Sequence, residues 1–161
     1  MEYSEASKII NKLMESDDNN YFVDFVPFTF PNENYWELEE YLEDEYKSEY
    51  AKKITFVAFM LIYYYECNIF LDEVDLPIYP DLEKKDLRNI GLDKLEAIIQ
   101  KMIVENYSGL NIIINHNENK SLMRIEDGYN TIFFNIEGSC FNIVQQLINH
   151  QGIFLNKLTK K

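Results

Sequence analysis

The chain reads as one α+β domain over residues 1–161: N-terminal helices packed on a C-terminal antiparallel β-meander, with a final helix and a short closing strand. Three observations predict it. Apolar residues recur at helical spacing through most of the first hundred positions. The pattern then turns to alternation, with Asp127-Gly128, a strong hairpin signal, between two alternating runs. Finally, 161 residues that are 47% hydrophobic, with only four prolines and five glycines, suit one packed core rather than a linker-rich or fibrous chain.

Residues 4–14 predict a first helix, with Ser4 as a candidate cap and Ile9, Ile10, Leu13 and Met14 as its apolar stripe. A polar loop, residues 16–20, follows. Residues 21–31, YFVDFVPFTFP, predict an extended, largely buried segment or an edge strand, because neither Pro27 nor Pro31 can donate to a ladder. Asp24 within it must be solvated or paired, which favours an outward-facing position. An acidic helix starts near Asn34. Straight after it, residues 52–66 predict a central buried helix, since Ile54, Phe56, Val57, Phe59, Met60, Leu61 and Ile62 leave almost no polar face. The β-rich composition of this run leaves a strand open. Tyr63, Tyr64 and Tyr65 fall around its end, with hydroxyls reaching for partners.

Residues 68–76 suit a short strand or loop, Pro77 and Pro80 force irregular chain, and residues 81–88 suit a short helical turn. Residues 92–106 predict a helix with Asp93 as cap candidate, Glu96 three residues on, and Leu95, Ile98, Ile99, Met102 and Ile103 facing in. The meander takes residues 109–115, 121–126 and 129–136, with 117–120 as its first turn. Residues 139–149 form the last helix, with Ile143, Val144, Leu147 and Ile148 inward. Gly152 terminates it, and residues 153–158 close the sheet. The basic tail, Lys157, Lys160 and Lys161, is expected to fray.

The stretch ENYWELEEYLEDEYKSEY, residues 33–50, carries eight carboxylates against one cation, Lys47. At about 100° per residue, Tyr35, Leu38, Leu42, Tyr46 and Tyr50 share one broad stripe. Glu37, Glu40, Glu43 and Asp44 fall opposite, and Trp36 points the same way. Such a run is most simply a solvated face. The excess of one sign, with large aromatics among the charges, points to the alternative: a docking surface for a basic partner. Trp36 could anchor that partner or fold back onto Phe28 or Phe30. The net charge of −13 lies wholly in the first ninety residues, which hold 21 acids and 8 bases. That disfavours direct binding to nucleic acid or to an anionic membrane, both of which need Lys and Arg.

Residue types that carry chemistry are sparse. Cys67 and Cys140 sit in apolar surroundings without CxxC spacing and read as buried free thiols in a reducing cytoplasm. His116 falls in a predicted turn and His150 at a helix end, neither at metal-ligand spacing. Cys140 near a helix start with His150 could form a nucleophile pair, but a buried thiol fits better. Asp72, Glu73 and Asp75 cluster without the spacing or glycine of an EF-hand. No phosphate loop, GxSxG or HExxH occurs. The longest apolar run, residues 56–65, is too short to span a bilayer. Neither metal nor cofactor is expected.

At YFVDFVPFTFP, the following YWELEEYLEDEY and the terminal HQGIFLNK, the sequence resembles bacterial immunity proteins of contact-dependent growth inhibition, in the group that neutralises ribonuclease toxins. The resemblance implies a small cytoplasmic protein, not an enzyme, that binds one cognate toxin domain. It carries over no particular binding residues. The residues themselves leave open an acidic interaction or regulatory module for a non-toxin partner. The candidate partner-binding set is Trp36, Glu37, Glu40, Glu43 and Asp44.

Overall fold

The computed structural model describes residues 1–27 and 36–158, except the side chains of Trp36, Glu39 and Glu43. The elements run α1 (Tyr3–Glu15), β1 (Tyr21–Asp24), α2 (Trp36–Glu45), α3 (Lys47–Tyr64) and β2 (Glu66–Leu71). Two 3-10 turns follow, Pro80–Leu82 and Leu87–Asn89, and then α4 (Leu92–Val104), β3 (Leu110–His116), β4 (Asn119–Ile125), β5 (Thr131–Phe134), α5 (Gly138–His150) and β6 (Phe154–Lys157). All strands pair antiparallel in one six-stranded sheet, ordered β2-β3-β4-β5-β1-β6. The α+β class predicted from the sequence holds, and the predicted meander is the centre of a wider sheet.

Strand alternation sends side chains to two cores. On one face Leu110, Ile112 and Ile114 of β3, with Ile69 and Met123, pack against Leu61 of α3, Ile98 and Ile99 of α4 and Val144 and Ile148 of α5. On the other face Phe70, Ile113, Leu122 and Phe134 pack against Ala6, Ile10 and Leu13 of α1. The sheet is therefore sandwiched, with α1 the one helix on its second side among the described residues. There the apolar row is flanked by polar contacts: Asn115 Nδ2 donates to Asn68 Oδ1 (3.1 Å), while Arg124 lies opposite Asn111.

Several expectations are corrected. β1 is not an edge strand; β6 adds outside it, and Pro27 falls just beyond the strand, where its missing donor costs the ladder nothing. The acidic stretch is not one helix to Tyr50. It ends at Glu45, where Glu43-Asp44-Glu45 oppose the helix dipole with no basic residue in the last turn, and α3 restarts after Tyr46. Tyr50 then lies fully buried in α3. The run predicted at residues 52–66 is helix as far as Tyr64, starts earlier at Lys47, and gives way to β2 at Glu66; it also has a solvent side, with Lys52, Phe56, Tyr63 and Tyr64 exposed. Tyr63 is 90% exposed, so its hydroxyl faces water rather than a partner.

Ser4 does not cap α1, which starts at Tyr3 after Glu2, and Asp93 does not cap α4, whose cap is Gly91; Asp93 lies in the first turn. The β3–β4 turn is tighter than predicted. Asn117 takes φ 55°, so the strands run on to His116 and Asn119. A side-chain cap does occur at Asp86. Its Oδ1 accepts from the amides of Arg88 and Ile69 at 3.1 Å, and its Oδ2 from Asn68 Nδ2 at 2.7 Å. Burial opposes its charge, but these bonds outweigh burial and hold its pKa below the usual carboxylate value.

Candidate functional site

α2 is amphipathic by sequence but exposed on most of its circumference. Glu37, Glu40, Asp44 and Glu45 face solvent, and none of the four forms an ion pair among the described residues. The stripe expected to face the core is only partly covered. Leu42 is half-buried, while Leu38 is 44% exposed and Tyr46 is 41% exposed. Tyr41, exposed by 56%, follows Glu37 by four residues and Leu38 by three, so it borders both the acidic and the apolar rows. Of the candidate residues, the structure therefore brings Glu37, Glu40 and Asp44 onto one open surface. The side chains of Trp36 and Glu43, and the contact expected between Trp36 and Phe28 or Phe30, lie outside the described residues.

An aromatic stack carries this surface. Phe25, just past β1, meets Tyr46 edge-on at 6.3 Å, Tyr50 at 5.5 Å and Tyr129 at 5.0 Å. Tyr50 and Tyr129 pack at 5.0 Å, and the Tyr50 hydroxyl donates to the Tyr129 carbonyl at 3.2 Å. The Tyr129 hydroxyl in turn donates to the Leu42 carbonyl of α2. Edge-to-face aromatic pairs each add about 1 kcal/mol to their burial, so the stack is a stiff mount for a helix that, among the described residues, otherwise meets chiefly α3.

Two polar clusters lie elsewhere. Arg124 on β4 is clamped: Nη2 reaches Asp72 Oδ2 at 2.6 Å, Nη1 reaches Asp72 Oδ1 at 3.0 Å and Asn111 Oδ1 at 2.9 Å, and Nε reaches Glu126 Oε1 at 2.5 Å. Burial would lower the Arg124 pKa, but the bonds to Asp72 and Glu126 more than offset it and raise it. Its charge is thus neutralised from within, and the predicted grouping of Asp72 with Glu73 and Asp75 resolves into separate pairings, Glu73 going to Lys84 at 2.7 Å.

The second cluster sits under the β3–β4 turn. His116 is buried on β3 rather than in a turn. Its Nε2 lies 2.6 Å from Ser121 Oγ, and Ser121 Oγ donates to the Asn135 carbonyl at 2.7 Å. With its one proton committed there, Ser121 must accept from His116, so Nε2 carries the proton. That is the wrong arrangement for a base activating a serine. Cys140, fully buried, lies 4.0 Å from Ser121 Oγ, and burial pushes its thiol pKa up; burial also pushes Cys67 up to about 12. His150 does not meet Cys140 but stacks at 6.2 Å on Phe56. Both cysteines are free and buried, as predicted.

Among the described residues no three His, Cys, Asp or Glu side chains gather as a metal site, and no helix is long and apolar enough to cross a membrane. Comparison with known protein families, curated proteins and solved structures gives no match. Sequence reasoning missed Leu38 and Tyr41 as surface residues and Tyr129 as their support. The signal for the first two was the run of three acids that ends α2 early; for Tyr129 it was the aromatic beside the Asp127-Gly128 turn.

Proposed function

We propose that this chain is a binding protein that docks a basic partner on α2, and that the partner is a cognate bacterial toxin domain, a ribonuclease in the reading suggested by the sequence resemblance. One observation carries it. α2 exposes carboxylates that form no ion pair among the described residues together with part of its apolar stripe, Leu38 and Tyr46, which a merely solvated helix does not need. A nuclease presents Lys, Arg or His to an RNA backbone. An acidic helix set over that site would exclude substrate, its carboxylates steering the encounter while Tyr41 and Leu38 add buried area. The protein would neutralise by occlusion, with no chemistry of its own.

The test is co-expression with the toxin domain encoded beside its gene, together with stopped-flow association of the purified pair. Protection of cells, with an association rate that falls at least tenfold between low and high salt, is expected. Reversing Glu37, Glu40 and Asp44 to Lys should abolish protection without lowering the melting temperature. Protection by the reversed variant would overturn the proposal.

A further inference from the structure

We infer that Tyr129 is a positioning residue for the acidic helix: its hydroxyl, reaching across from the β4–β5 turn, fixes α2 at the angle in which its carboxylates and Tyr41 are presented. This rests on the proposed docking role of α2, but its structural half stands alone.

α2 meets the body at its C-terminal end. There the Leu42 carbonyl closes the last turn by accepting from the Tyr46 amide at 2.9 Å, and the Tyr46 carbonyl opens α3 by accepting from the Tyr50 amide at 2.9 Å. Tyr46 itself leaves regular helix geometry, with φ −112° and ψ −11°. The junction is a hinge between two helices of different exposure, α3 packed and α2 open. Among the described residues, the bond from the Tyr129 hydroxyl to the Leu42 carbonyl is the one hydrogen bond tying α2 to the sheet. Tyr129 is itself held on two sides. Its ring lies edge-on to Phe25 and Tyr50, and its carbonyl accepts from the Tyr50 hydroxyl. Its turn is set by Glu126 and Asn130, whose backbones bond at 2.9 Å. A carbonyl at a helix end has spare acceptor capacity, so an outside donor settles where the next helix departs.

Tyr129→Phe removes the hydroxyl and keeps the ring. Hydrogen exchange resolved by segment is the measurement. The α2 amides should exchange about fivefold faster, the equivalent of one neutral hydrogen bond, while α4, α5 and the sheet stay unchanged. Affinity for the toxin domain should fall in step, through faster dissociation. Tyr50→Phe is the comparison. It loses a hydroxyl in the same stack but no bond to α2, and should leave α2 exchange closer to wild type than Tyr129→Phe does. Unchanged α2 exchange in Tyr129→Phe, or equal acceleration across the whole chain, overturns the positioning role. Faster α2 exchange with unaltered toxin binding would instead uphold that role and overturn docking through α2.

Discussion

Gly109 offers a sharp test of the clamp around Arg124. A Cβ built at Gly109 would stand 2.5 Å from Asp72 Oδ2, 3.2 Å from Asp72 Cγ and 3.3 Å from the Ile125 carbonyl. The Asp72 side chain is too short to fold away. Its backbone is pinned too, since the Asp72 amide donates to the Gly109 carbonyl at 2.9 Å. Gly109→Ala must therefore push the carboxylate off the guanidinium and break the paired contacts at 2.6 and 3.0 Å. Hydrogen bonds to charged groups contribute about 1.5–3 kcal/mol each when buried. With 14% and 23% of the two side chains still exposed, a loss of about 2 kcal/mol for the pair is the reasonable scale. Against it stands about 0.5 kcal/mol gained because alanine stiffens the unfolded chain. The net expectation is a loss of about 1.5 kcal/mol in chemical denaturation, combining these two terms. The mechanism has its own signature. In an Asp72→Ala background only the Ile125 carbonyl at 3.3 Å still crowds the methyl and the unfolded-state gain remains, so the second substitution should cost nothing or stabilise by up to about 0.5 kcal/mol, leaving a coupling of about 1.5–2 kcal/mol in the double-mutant cycle. A variant as stable as wild type, or a cost undiminished in the Asp72→Ala background, would refute the reasoning.

Other outcomes are equally concrete. Burial holds the His116 pKa below its ordinary 6.5, with Glu137 opposing, so the unfolded chain binds the extra proton first; stability should fall as pH drops through that value, and His116→Gln should flatten this limb of a pH–denaturation curve. Asp86, with its lowered pKa, should add a second and separate loss below pH 3.8 that Asp86→Asn removes. Under the proposed docking role, Cys140→Ala and His150→Ala should leave protection from a co-expressed toxin domain intact, because neither contributes to the α2 surface; loss of protection in either folded variant would count against docking through α2 and for chemistry at Cys140. Ile113→Ala, at the centre of the smaller core, should cost about 3 kcal/mol and release α1 before the rest, read as early exchange of the α1 amides.

The long periodic elements were legible because one force shaped them. All five residues predicted for the inner stripe of α4 are buried, since that helix turns one apolar face to α3 and the sheet together and keeps the other in water. The Asp127-Gly128 turn was equally plain: Gly128 takes φ 61°, a conformation that side chains resist. α2 was misread for the opposite reason. Periodicity shows which residues share a face, not whether anything covers it, and here Leu38 and Tyr41 have little above them. The place of β1 was hidden because a strand's rank in a sheet depends on what arrives later; β6, more than a hundred residues on, took the edge. Arg124 was obscured by distance too, since Asp72 lies in a loop 52 residues before it, whereas His116 was obscured by the tight β3–β4 turn, which folds Ser121, five residues on, back beside it.

Asp86 gives the sheet a definite end. A strand at the margin of a sheet is a template, and a bare amide on it invites the backbone of another molecule. On β2 the Ile69 amide already donates to a carboxylate, which the Asn68 side chain and the Arg88 amide hold in place. An incoming strand could offer only a neutral carbonyl, a weaker acceptor by about half, and would have to evict a charge that four donors share, the Met1 amino group at 3.4 Å among them. Chain-to-chain growth along this margin is therefore opposed at neutral pH by an ionised side chain as well as by the Leu87–Asn89 turn packed against β2. The block is also reversible. Once acid protonates Asp86 the charged part of that block is lost and only the packed turn remains, so low pH is the condition under which association of copies through β2 should first show.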